Sequence, residues 1–569
     1  MLRRRLTLTA IPLSIATLAL AGCTTTAVSA LPTAEESTPT AVVSSALDAT
    51  TVLGANADVT VTDDDEWSAD DAVAIDLNGS TASSASTDVT VIDGTVTITA
   101  AGVYRLTGSL TGQVIVEAPD DAVVVLLLDD ATITNASGPA IDIRTADDAV
   151  ISLAADSVNS VSDASSYADD ASANAAIYSD IDLTVSGTGA LTVSGNGNDG
   201  ITSTDDLVIL GGDISVTAAD DGLRGKDSVT LVDGRVQIES GGDGISSDQD
   251  EDDTQGFVAI TGGELSIRSG NDGIDAATDI AMTAGVVEIV SNGDGAKGLA
   301  AGVVIALDGG TVSVDSSDDS VHSNDSIGIG GADVTVASGD DGIHADLAVE
   351  IRAGSVTVTD SVEGIEAAHV AISGGVVDVV SSDDGINASS DASQGEQDTG
   401  ESIAVSGGTV TVASRGDGLD SNGSITVTGG TVTVSGPAAG GEGAVDANGA
   451  IALDGGTTVI LGGLAGTVGG AQGFAAVTLS GQAGDTVEVA DTGGTVVATV
   501  GVPIAFSSIL ISDGDIIIAD TYTVSVVGGE SATTTAGTAQ STGPGAGGPG
   551  APGPGAGGPG AGFPEGERP

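Results

Sequence analysis

Residues 341–362 read DGIHADLAVEIRAGSVTVTDSV, and the next unit opens on Glu363-Gly364-Ile365. Three apolar bursts lie inside those 22 residues: Ile343, then Leu347, Val349 and Ile351, then Val356 and Val358. Ala353-Gly354 and Asp360 to Gly364 read as the turns between them. Alternation with a period of two over such short runs predicts β-strands with one buried face, and no window shows the 3.6-residue period of a helix.

The unit recurs. An acidic residue, a glycine and a small or branched apolar residue stand at Asp199-Gly200-Ile201, Asp221-Gly222-Leu223, Asp243-Gly244-Ile245, Asp272-Gly273-Ile274, Asp294-Gly295-Ala296, Asp341-Gly342-Ile343, Glu363-Gly364-Ile365, Asp384-Gly385-Ile386, Asp417-Gly418-Leu419 and Glu442-Gly443-Ala444, with Asp319-Ser320-Val321 filling the gap. Steps of 22, 22, 29, 22, 25, 22, 22, 21, 33 and 25 residues describe a fixed unit with occasional insertions. Three short strands per unit predict a right-handed, single-stranded parallel β-helix, an all-β solenoid. Coils stacked about 4.8 Å apart bury apolar columns that no single coil could bury alone. The leucine and asparagine framework of leucine-rich repeats is absent, and a propeller blade is about twice this length.

Gly211-Gly212, Gly262-Gly263, Gly309-Gly310, Gly330-Gly331, Gly374-Gly375, Gly407-Gly408 and Gly429-Gly430 each precede a Val/Ile/Leu alternation, which marks them as corners needing positive φ. Regular coils are expected over 191–450. Residues 59–190 should hold an N-terminal cap and irregular first coils, and 451–530 the last coils and a β cap that shields the open end. Two insertions, Ser247 to Gln255 and Ser389 to Gly400, are expected to leave the same corner.

The termini have other compositions. Arg3, Arg4 and Arg5 precede an apolar stretch from Leu6 to Ala21, and Leu20-Ala21-Gly22-Cys23 has the lipobox pattern, so 1–22 is expected to be a lipoprotein signal peptide and Cys23 the lipidated N-terminus. That places the chain on the extracellular face of the cell membrane, with the lipid its only membrane contact. Cys23 is the single cysteine, so no disulfide within the chain is available. Residues 23–58, rich in Thr, Ser and Ala, suit a flexible tether, and 531–569 a disordered Gly/Pro-rich tail.

Removal of the three leader arginines reduces the 13 basic residues to 10, against 82 acidic ones, for a formal charge of −72. Such a field repels nucleic acid and anionic bilayers and concentrates divalent cations. The Asp-Gly step repeats at one corner, giving a column that includes Asp199, Asp221, Asp243, Asp272, Asp319, Asp341 and Asp384, with Asp220, Asp318, Asp340 and Asp383 in a second column beside it. Asp248, Asp250, Glu251, Asp252 and Asp253 add a cluster on the first insertion. Each of these carboxylates has a plain structural explanation, an Asx-turn accepting the N–H two residues on. The doubled columns also point to several Ca²⁺ ions, which take six to eight oxygens in flexible geometry. Neither an EF-hand nor a nine-residue calcium roll fits the spacing. Soft metals are disfavoured, because His322, His344 and His369 are the only histidines.

Three residues past each acidic position, a polar strip with Arg224, Asp275, Lys297, His322, His344, Glu366 and Asn387 is a candidate ligand surface, with Lys226 close by. No nucleophile triad, zinc motif or phosphate loop is present, and carboxylate pairs are too plentiful to mark a hydrolase.

The segments Gly197-Asn198-Asp199-Gly200-Ile201, Ala218-Ala219-Asp220-Asp221-Gly222-Leu223-Arg224-Gly225-Lys226-Asp227 and Gly242-Asp243-Gly244-Ile245, with Glu251-Asp252-Asp253-Thr254 and the repeated Gly-Gly turns, resemble the carbohydrate-binding parallel β-helix family typified by a clostridial cellulose- and pectin-binding surface protein. The resemblance covers roughly residues 60 to 530. It implies a calcium-containing β-helix that binds plant cell-wall polysaccharide, acidic sugars included, without an established catalytic role. Of nine aromatic residues only Phe257 lies in the regular coils, so a uronic-acid polymer bridged by calcium suits the composition better than crystalline cellulose. A monomeric, non-enzymatic glycan-binding protein is therefore expected. The alternatives are an adhesin or spacer without sugar specificity, and a calcium-dependent polysaccharide lyase.

Overall fold

The computed structural model describes residues 5–6 and 47–542, apart from 169, 391–397, 438–441 and 538–539. The signal peptide other than Arg5–Leu6, the Cys23 lipidation site, the tether up to residue 46 and the tail beyond 542 lie outside the described residues. The described residues are nearly all β, with 46 strands in one hydrogen-bonded sheet, four in a separate antiparallel sheet and the pair Arg5–Leu6 and Val59–Thr60.

Through the middle of the chain, strands come in threes and pair in parallel with the equivalent strand of the next repeat. Leu223–Gly225 lies between Asp199–Ser203 and Ile245–Ser247, Ser228–Leu231 between Asp206–Ile209 and Phe257–Ile260, and Arg235–Ser240 between Asp213–Ala218 and Glu264–Ser269. Inward residues align in columns. Ile201, Leu223, Ile245, Ile274, Leu299, Val321, Ile343, Ile365, Ile386, Leu419 and Val445 form one, each at most 3% exposed. Burying a side chain of this size is worth about 1.5–3 kcal/mol, so one continuous apolar core from Ile75 to Leu510 carries the fold without a disulfide.

Six of the seven Gly-Gly pairs have the expected positive φ at the second glycine, for example Gly375 at 78°. Gly330-Gly331 does not. There the requirement is space, since a Cβ on Gly331 would stand 2.6 Å from the Asp308 carbonyl oxygen.

Both insertions leave the corner between the first and second strands. Ser247 to Gln255 separates Ile245–Ser247 from Phe257–Ile260, and Ser389 to Gly400, whose residues 391–397 are not described, separates Ile386–Ala388 from Ser402–Val405.

The ends of the body depart from expectation. Residues 49–55, read as tether, form the helix Ala49–Ala55, capped by Asp48, whose carboxylate accepts the Thr51 N–H at 2.9 Å. A seven-residue helix is marginal alone. Tertiary packing supplies what local propensity lacks: Ala49, Val52 and Leu53 are buried against Phe257, Ala259, Ala281 and Ala306 on the outer side of the second strands. Asp308 accepts the Ala49 N–H at 2.7 Å. At the other end, Thr486–Asp491, Val496–Gly501, Thr521–Val526 and Ser531–Thr535 form the antiparallel sheet over a second core, so the segment read as tail begins with an ordered strand. No helix among the described residues is long and apolar enough to cross a membrane.

Candidate glycan and metal site

The acidic corner immediately precedes the first strand of each repeat. Gly200 N–H donates to the Asp221 carbonyl, Gly222 to Asp243, Gly244 to Asp272, Gly273 to Lys297, Gly298 to Asp319, Ser320 to Asp341, Gly342 to Glu363, Gly364 to Asp384, Gly385 to Asp417 and Gly418 to Gly443, at 2.8–3.2 Å. This register corrects two steps of the predicted column. Lys297, not Asp294, holds the fifth place, and Gly443, not Glu442, the last. The core decides it: Leu299 must pair with Ile274 and Val321, and Val445 with Leu419, so Asp294-Gly295 belongs to a short insertion.

The column's carboxylates do not make the expected Asx-turns. Their Oδ1 atoms bond across repeats: Asp221 Oδ1 accepts the Asp243 N–H at 2.9 Å, Asp243 Oδ1 that of Asp272 at 2.9 Å, Asp272 Oδ1 that of Lys297 at 2.7 Å, Asp319 Oδ1 that of Asp341 at 3.0 Å, and Asp384 Oδ1 that of Asp417 at 2.6 Å. Asp199 accepts from Asp221 at 3.3 Å. Stacking places each carboxylate against the next repeat's amide, and the second oxygen meets the polar strip: Asp199 Oδ2 accepts the Thr202 hydroxyl at 3.0 Å, Asp319 Oδ2 faces His322 and Lys297, and Asp341 Oδ2 faces His344. An Asx-turn does form on the insertion, where Asp252 accepts the Thr254 N–H at 3.0 Å.

Burial of so many like charges moves their acidity. Desolvation, then repulsion from Asp221, pushes Asp199 up to about 6 and Asp243 up to about 7. Burial followed by the neighbouring acids raises Asp275 to about 6, Glu363 to about 8 and Asp420 to about 7, while Asp384, despite the Asp417 amide, reaches about 6. Asp221 and Asp272 are raised by burial, and Asp341 and Asp417 are raised too. Asp319 is the exception. Its burial is outweighed by His322, the Asp341 amide and Lys297, which hold it at about 2.

The flanking Asp220, Asp340 and Asp383 are exposed and Asp318 is half-buried. Lys297 Nζ lies 2.7 Å from Asp318 and 3.1 Å from Asp319, so an ammonium already sits where doubled carboxylates suggested a calcium ion. On the insertion, Asp248, Asp250, Glu251, Asp252 and Asp253 are exposed. Asp248 pairs with Arg224. The loop itself is pinned by Gln249 and Gln255, whose Nε2 atoms donate to Asp227 at 3.3 and 2.7 Å.

The polar strip is as expected except at one place. Thr202, Arg224, Ser246, Asp275, Ala300, His322, His344, Glu366, Asn387 and Asp420 are register neighbours, with Ala300 where Lys297 was expected. Lys226 is exposed one residue beyond its strand. His322 and His344 stack with ring centroids 5.0 Å apart. His322 Nδ1 is 2.8 Å from Asp319 Oδ2, and His344 Nδ1 is 3.1 Å from Asp341 Oδ2 and 3.7 Å from Glu366 Oε2. The hydrogen bond to Asp341 dominates burial and pushes His344 up to about 9.

Sequence reasoning passed over Glu363 and Asp417 as site residues although the column signal contained them. It also missed Asp182, Asp205 and Asp206, which converge on the second-strand corner, where Asp206 accepts the Thr60 N–H at 2.8 Å. Asp206 meets this amide only because residues 59–60 dock on that corner.

As a test of calcium, the donors at the two ends of the column are oxygens, and among the described residues Asn387 Oδ1 is buried without a partner while its Nδ2 donates to Glu363 at 2.9 Å. An oxygen-rich site with an orphaned amide carbonyl suits a hard cation. Asp384, Asp417 and Glu442, whose carboxylate oxygens lie within 4.8 Å of one another, would hold it at one end, and Asp199, Asp221, Asp243 and Asp275, with Arg224 among them, would share it at the other. The centre, with Lys297 and two imidazoles, does not suit calcium.

The acidic corner and the adjoining polar strip run along the repeats as an open surface rather than a closed cavity. The chain belongs to the carbohydrate-binding domain-containing protein family, whose model matches residues 92–342 and 340–542. A carbohydrate-binding domain-containing protein of Acetivibrio thermocellus is 40% identical over 128 residues, which is 22% of this chain and 45% of that protein's length. A solved structure titled as the polysaccharide lyase-like protein from C. thermocellum, gadolinium derivative, is 29% identical and covers 50% of this chain and 96% of its own, with a TM-score of 0.36.

Proposed function

We propose that the body is a right-handed parallel β-helix, lipid-anchored through Cys23 on the extracellular face of the membrane, and that its first-strand face binds an acidic, uronic-acid-containing polysaccharide with calcium at the two ends of the acidic column. The observation that carries this reading is the column itself. From Asp199 to Asp417 a carboxylate stands at this corner in every repeat but that of Lys297, beside a polar strip that runs the same way. Many have affinities for protons raised toward neutrality, the state of carboxylates lacking enough counter-charge. Bound calcium would supply that charge and offset the repulsion between a chain of charge −72 and a polyanion. Membership of a carbohydrate-binding family supports a glycan over a protein partner.

We read the surface as binding rather than catalytic. Lyase chemistry needs a neutral base at the C5 proton. Burial lowers the affinity of Arg224 for its proton, but the hydrogen bond and charge of Asp248 outweigh it and leave the guanidinium above its ordinary value. Lys297, likewise raised, is held by Asp318 and Asp319.

The test is a pull-down of the mature body against polygalacturonate, cellulose and a neutral soluble glycan, with calcium and with chelator, while absorbance of an unsaturated uronate product is followed. The expected result is retention on polygalacturonate only with calcium and no rise in absorbance. Retention on none would leave an adhesin or spacer. Product formation that is lost in Arg224→Ala would make the protein a lyase.

A further inference from the structure

The middle of the acidic column differs from its ends. We propose that Asp319, His322 and His344 form a binding site for one borderline transition-metal ion, of the zinc and cobalt class, distinct from the hard-cation sites of the proposed function.

His322 and His344 are register partners one repeat apart, so parallel stacking brings two imidazoles together that are 22 positions apart in the chain. Both rings turn Nδ1 toward the column. His322 Nδ1 stands 2.8 Å and His344 Nδ1 4.0 Å from Asp319 Oδ2, and the three donor atoms lie within 4.8 Å of one another. Bonds of about 2.1 Å in a tetrahedral shell put donors about 3.4 Å apart, which small side-chain rotations reach from here. Asp319 is 5% exposed and the two histidines 17% and 27%, so the site is shielded yet reachable.

The second observation is what lies on the far side of each ring. His322 Nε2 is 3.0 Å from Asn324 Oδ1, and His344 Nε2 is 3.7 Å from Asp346 Oδ1. The Asn324 oxygen behind the non-coordinating nitrogen of His322 supports the tautomer that leaves its Nδ1 free to bind, whereas His344 gives up the proton it shares with Asp341 when the ion enters. Asp341 and Glu366, 3.1 and 3.7 Å from His344 Nδ1, add negative charge and a possible fourth donor. Lys297 Nζ, 3.1 Å from Asp319 Oδ2, competes for that oxygen, and Asp318 at 2.7 Å offers it a second partner. Imidazole nitrogen favours zinc, cobalt, nickel and copper over calcium, so the same column selects different ions along its length. His369, the third histidine, is exposed on a second strand with Nδ1 against Ser402 Oγ at 3.1 Å and serves as an internal control.

The experiment titrates Co²⁺ into the metal-stripped full-length mature chain, held in excess Ca²⁺ so that carboxylate-only sites are filled. The expected result is a saturable visible absorption band at one equivalent of cobalt, displaced by Zn²⁺ and not by more Ca²⁺. His322→Gln and His344→Gln should each weaken cobalt binding at least about tenfold, whereas His369→Gln leaves it unchanged. Circular dichroism and the calcium-dependent melting of each variant confirm folding, and they report on the calcium reading independently. Absence of a saturable band, or a band untouched in both His322→Gln and His344→Gln, would overturn the site and leave the two histidines as counter-ions of the column.

Discussion

Replacing Glu363 by glutamine tests whether the acidic column is a stored cost. Glu363 lies between Asp341 and Asp384 in the column, accepts a hydrogen bond from Asn387 Nδ2 at 2.9 Å, and is pushed from its ordinary 4.5 up to about 8 by burial and then by Glu366. Its folded-state value lies above its unfolded one, so the stability it contributes is fully present below about pH 4.5 and is lost as the pH rises through 8. A rise of about 3.5 units at about 1.4 kcal/mol each sets a ceiling near 5 kcal/mol, and allowing half for solvent screening leaves about 2 kcal/mol. Glutamine keeps a carbonyl for Asn387 and removes the charge. In chelator, urea unfolding followed by circular dichroism should show Glu363→Gln more stable than the natural chain by about 2 kcal/mol at pH 9 and equal to it at pH 4. Calcium should narrow the gap at pH 9 by stabilising the natural chain more than the variant. An equal or lower midpoint for the variant at pH 9, or the same gain at both pH values, would refute the reasoning.

Lys297→Met removes the cation between Asp318 and Asp319, so the chelated protein should lose about 1–3 kcal/mol, read as a lower melting temperature. Added salt should recover part of that loss by screening the unpaired carboxylates. Gly222→Ala would place a Cβ 2.3 Å from Ile238 Cγ2 and 2.6 Å from the Gly244 carbonyl oxygen, at a φ outside the left-handed region. Overpacking against backbone should cost about 1–3 kcal/mol by urea titration, whereas Gly501→Ala, with nothing within 4 Å, should be near neutral.

The sequence by itself determined the period, the strand character and the face. Alternation of Val and Ile is a local property of a half-buried strand, and a repeat of 22 residues brings like side chains into columns without any knowledge of the fold. The acidic corner, the polar strip and the shared corner of both insertions were legible for that reason. Tertiary structure alone decided register across insertions. Asp294-Gly295 and Lys297-Gly298 are equally plausible locally, and the need to seat Leu299 between Ile274 and Val321 chooses the second. It also decided that carboxylates bond the amides of the next repeat, that residues 49–55 are a docked helix, and that His322 and His344 meet. Each of these depends on a contact between residues 22 or more positions apart, whose energy comes from packing and desolvation that a local reading of the chain does not contain.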